Sequence, residues 1–108
     1  MAKLERRIDR DFDSLLSCIE NGILNGSASA SLEEASDFEM DGVRCAVRVF
    51  ERYSYTGGNR LSLSVTLLGK SEGPVYISGI TAGGSQAMIF KLNTFGEEAF
   101  LEKLEELL

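Results

Sequence analysis

The chain has 108 residues, 44% of them hydrophobic and 26% charged, which is the size and balance of one globular domain spanning residues 1–108. It contains no histidine, so histidine-based triads, histidine metal sites and the usual neutral-pH proton shuttle are excluded. Eleven basic against seventeen acidic residues give a net charge of −6, which opposes general nucleic-acid binding.

No apolar run reaches the roughly 18–20 residues needed to cross a bilayer, and no apolar segment follows the charged N-terminal residues. A cytoplasmic protein with neither membrane nor nucleic-acid partners is the expectation. The two cysteines, Cys18 and Cys45, lack a CxxC spacing and read as small buried thiols in a reducing compartment.

In chain order, residues 3–9 suggest a short strand. Phe12, Leu15, Leu16 and Ile19 then recur at helical spacing, with Asp11 placed to cap the helix and Gly22 placed to end it. From Ala28 to Met40 a strand is expected, closed by an Asp41-Gly42 hairpin turn, because that turn needs positive φ at both central positions. Val43, Cys45, Val47 and Val49 alternate as the apolar face of the next strand, and Leu61, Leu63, Val65 and Leu67 as that of the one after. Val75 and Ile77 mark a further strand. A Gly83-Gly84 hairpin would lead into a last one through Met88, Phe90 and Leu92.

Matching apolar faces across the hairpins requires an odd loop at Gly57-Gly58-Asn59. The chain closes on a helix, with Thr94 and Glu97 as a capping box and Phe100, Leu101, Leu104, Leu107 and Leu108 as its buried stripe. The order strand, helix, five strands, helix predicts an α+β fold: a curved antiparallel sheet of about six strands with both helices on its concave side. That order resembles the TATA-binding-protein-like and helix-grip topologies.

On this parity Glu51, Tyr53 and Tyr55 point inward, with Glu34 diagonal to Glu51. Two close carboxylates beside tyrosines could orient a small ligand at a pocket mouth, or Glu51 could simply sit in water beyond the core. Arg44, Arg48 and Arg52 then line the outer face among the hydroxyls of Ser62, Ser64 and Thr66. Guanidinium groups there could take a small anionic ligand or an acidic protein partner, or remain a solvated face. Phe50, Leu68, Tyr76, Ile80 and Ile89 continue this face as an apolar patch suited to a homodimer interface.

No nucleophile–base pair, metal-ligand set or cofactor motif is present, so no catalytic residue, metal or cofactor is expected. The leading reading is a non-catalytic interaction module working through its outer sheet face. The alternative is a helix-grip ligand-binding protein or enzyme using Glu51, Tyr53 and Tyr55. Residues 21–27 (Asn-Gly-Ile-Leu-Asn-Gly-Ser), 52–60 (Arg-Tyr-Ser-Tyr-Thr-Gly-Gly-Asn-Arg) and 83–87 (Gly-Gly-Ser-Gln-Ala) resemble a family of small, uncharacterised bacterial proteins. The resemblance implies a bacterial cytoplasmic setting and carries no chemistry.

Overall fold

The computed structural model describes residues 1–53, 59–83 and 90–108, with residues 90–95 described in backbone only. The elements are β1 (Ala2–Ile8), α1 (Phe12–Asn25), β2 (Ser31–Met40), β3 (Val43–Tyr53), β4 (Arg60–Gly69), β5 (Val75–Gly83) and α2 (Phe90–Glu106). The fold is α+β. Among the described residues the curved sheet has five strands in the order β1-β5-β4-β3-β2, every neighbouring pair antiparallel. Both helices pack on one face of it, over a single apolar core.

α1 begins where its sequence indicates. The Asp11 carboxylate accepts the Ser14 backbone N–H at 2.9 Å, which satisfies a donor that has no partner inside the helix. The hydrogen bond to Ser14 holds the Asp11 carboxyl below its ordinary range.

Gly22 does not end α1, which runs on to Asn25. Its role is space: a Cβ there would lie 2.3 Å from a Leu107 methyl, so the missing side chain is what lets the turn just past α2 pack on α1. Alanine normally gains roughly 1 kcal/mol over glycine in a helix. Gly22→Ala is instead expected to cost about 1–2 kcal/mol by overpacking, and adding Leu107→Ala should return the gain, both read from urea unfolding.

The Asp41-Gly42 hairpin forms as its residues dictate, with φ of 52° and 81°, and Met40 faces Val43. Two other expectations are corrected. Phe90 and Leu92 belong to α2 rather than to a sixth strand, and the edge of β5 that such a strand would use is taken by β1, which pairs Ile8 with Val75 and Arg6 with Ile77. The Met88 and Gly84 positions lie outside the described residues. Thr94 falls within α2 rather than at its start, so the helix begins earlier than the expected capping box placed it. Glu97 is buried there and accepts the Gly83 N–H at 2.6 Å, tying α2 to the end of β5.

The β3–β4 register pairs Tyr53 with Arg60 and Val49 with Ser64. The loop between them therefore holds an even number of residues, not an odd one. The even-numbered side chains of β3 accordingly face the helices, and the odd-numbered ones face away.

Candidate interaction surface

The core-facing side of β3 carries Arg44, Ala46, Arg48, Phe50 and Arg52, with Arg48 8% and Arg52 6% exposed. All three arginines thus lie on the face opposite to the expected one. α1 presents Asp13 and Glu20 seven residues apart, about 10 Å along its axis, while Arg44 and Arg48 are about 13 Å apart on the strand. The spacings are close enough for two ion pairs, Arg44 to Asp13 at 2.9 Å and Arg48 to Glu20 at 2.7 Å. Arg48 also donates to the Val47 carbonyl at 2.9 Å and lies 3.2 Å from the Asp37 carboxylate.

Burial pushes the Arg48 guanidinium down, but hydrogen bonds to Glu20 and Asp37 outweigh it and leave the group above its ordinary range. Arg44 covers the Phe12 ring at 4.3 Å and Arg52 the Phe100 ring at 4.4 Å. Arginine stems thereby shield the part of the sheet that the helices do not reach. They tie β3 to both helices, on the face opposite to the one where an anion site was expected. Phe50 is fully buried against that same core and forms no part of an exposed patch.

Glu51 and Tyr53 face the open side instead of the interior. Glu51 accepts from Arg60 Nε at 2.7 Å, Glu33 stands 3.6 Å from the same guanidinium, and Arg60 lies 5.2 Å from the Tyr53 ring centroid. The hydrogen bonds to Glu51, then Tyr53, hold Arg60 above its ordinary range. Glu34 pairs with Val49 past a bulge between Leu32 and Glu34, so it shares the open face with Glu51. In place of the expected inward carboxylate pocket there is an ion-paired cluster around Arg60 on the open face, at one end of the sheet. Glu51, Arg60, Ser62, Ala82 and Gly83 border a shallow hollow of about 300 Å³ there. Tyr55 and Ile89 lie outside the described residues.

The face turned away from both helices is the feature that the fold leaves uncovered. Aligned registers give rows across all five strands. One row is Arg7, Tyr76, Leu68, Cys45 and Phe38; the next is Glu5, Ser78, Thr66, Val47 and Ser36; the third is Lys3, Ile80, Ser64, Val49 and Glu34. Leu68, Tyr76 and Ile80 stand on this face, as their sequence parity indicates.

Phe38 and Met40 join them, 69% and 75% exposed, as do Val43 and Cys45. A hollow of about 330 Å³ sits among Phe38, Met40, Val43, Cys45 and Leu68. A second, of about 500 Å³, lies beside Glu5, Arg7, Thr66, Leu68 and Tyr76.

Charge on this face nearly cancels, with Lys3, Arg7 and Arg60 against Glu5, Glu33, Glu34 and Glu51, in a chain of net −6. Cys45 is exposed in part on the open face. Cys18 lies on α1, its thiol 3.7 Å from the Leu107 carbonyl, and both are free. Among the described residues no three acidic or thiol side chains converge as a metal site, and no helix is long and apolar enough to cross a membrane.

Sequence reasoning missed Phe38, Met40 and the valines of β3 as surface residues. No local signal marked them: β-branched valine favours the pleat of a strand whether or not it is covered, and the even β3–β4 loop shows only in the strand pairing. No curated protein and no solved structure matches the chain. A family model described as "Family of unknown function (DUF6054)" matches residues 1–108, and the chain belongs to that family.

Proposed function

We propose that the protein is a non-catalytic interaction module whose open sheet face docks against protein. The single observation that carries this is the contiguous exposed stretch of Phe38, Met40, Leu68 and Tyr76 on the side away from the helices. Antiparallel sheets with one solvated face normally alternate apolar inside with polar outside. Here the outside is apolar over one half, and contiguous patches of that kind mark association surfaces. A cytoplasmic, bacterial setting fits such a module.

The helix-grip alternative needs a cavity between sheet and helix. Phe50, Leu63, Val65, Phe100 and Leu104 fill that space, each no more than 1% exposed, so the module reading is the stronger.

A benzophenone side chain at position Ser64, central on the open face, tests the proposal in cells. The expected result is a protein adduct that disappears when Phe38→Asp and Leu68→Asp are added, with none from a probe at Glu102 on α2. Equal adducts from both positions, or none from Ser64, would overturn it.

A further inference from the structure

We infer that the occupant of the open face is a second copy of this chain, stacked face to face about a two-fold axis that runs along β4. This rests on the docking surface proposed above and adds the partner and the geometry. β4 is the central strand of the five. Rotation about an axis along it lays β1 of one copy over β2 of the other while keeping each row at its own level. Lys3 and Glu34 occupy opposite ends of one row, so each lysine meets the partner copy's glutamate, twice per dimer.

In the same row Ile80 meets Val49. In the row of Arg7, the guanidinium comes over the Phe38 ring, an arrangement that cations favour. Met40 and Val43 come over the ends of β1 and β5, Glu51 comes over Ala82, and on the axial strand Arg60 meets the partner copy's Arg60, each already paired with its own Glu51 and Glu33.

The other way to stack aligned sheets about a two-fold, with the axis across the strands, fails on charge. It lays β1 over β1, brings Arg7 over Lys3, and sets Met40 and Val43 against the Arg60 cluster. The self-complementarity therefore selects one axis. Area agrees as well. Five strands at about 4.8 Å and about eight residues at about 3.4 Å make a face of roughly 650 Å², so two copies bury on the order of 1,300 Å², within the range of stable interfaces. A near-neutral face on an acidic chain also suits a second copy better than a strongly charged partner.

Sedimentation of the full chain with a charge swap tests this. Lys3→Glu and Glu34→Lys are each expected to weaken the dimer about tenfold by placing like charges opposite one another, and the double swap to restore it. Thermal melts establish that each variant is folded. If a swap unfolds the chain, Lys3→Gln and Glu34→Gln carry the same test with a smaller shift.

Tightening by Lys3→Glu would mean the axis runs across the strands and would overturn the inference, as would a dimer indifferent to both swaps. A chain that stays monomeric at high concentration also overturns it. In that case Ser64 adducts with a different protein leave the docking surface standing, whereas no adducts remove both.

Discussion

Phe50→Ala is expected to lower stability by about 3–5 kcal/mol, whereas Val49→Ala, one residue away, should cost under about 1 kcal/mol. Phe50 is fully buried between Leu32 and Leu63 of the flanking strands, so truncation leaves a cavity lined by side chains that cannot collapse into it. Within one copy Val49 lies between Glu34 and Ser64 on the face away from the helices, where its truncation opens no cavity in the core. Urea unfolding of the two variants reads the direction in which β3 faces. Equal costs, or a larger one for Val49, would reverse the sheet and remove the interaction surface with it.

Arg48→Ala is expected to cost about 2–3 kcal/mol, toward the low end for breaking a buried pair because Glu20 keeps 30% of its side-chain exposure. The loss has two parts: Glu20 is left without its cation in a partly desolvated site, and the arginine stem no longer covers the sheet. Replacing both partners, Arg48→Met with Glu20→Gln, should return the stability to within about 1 kcal/mol of the parent, since the desolvation of both charges is relieved together. A double-mutant cycle measured by urea unfolding separates the pair from the packing. A cycle with no coupling would mean that the clamp between α1 and β3 contributes only through the arginine stem.

The pattern of these costs follows from how the inner face is built. β4 and the helices meet through ordinary aliphatic packing, while at β3 the long arginines bridge a wider gap. Their charges are matched by acids that belong to α1 and β2. A charged residue is rarely buried without such partners. The partners here are 28 and 11 positions away from Arg48 in the chain, respectively, so no local pattern announces them.

Much of the architecture was readable from residue order: both amphipathic helices, the Asp11 cap, the Asp41-Gly42 turn, and the α+β class with both helices on one side. These depend on local physics, namely helical spacing, backbone donors that need acceptors, and turn positions that need positive φ. What tertiary structure decided was which face of β3 is inside and where the last strand position ends.

The alternation of Val43, Cys45, Val47 and Val49 is as apolar as any buried strand, and local preference cannot distinguish a covered pleat from an open one. Only the pairing of β3 with β4 and the acids of α1 settle that the arginines go in. In the same way, β1 occupies the edge that Phe90 and Leu92 would have used, and those residues become helical. Hydrophobic burial rewards the whole sheet rather than each strand, so strand parity is a property of the assembled core.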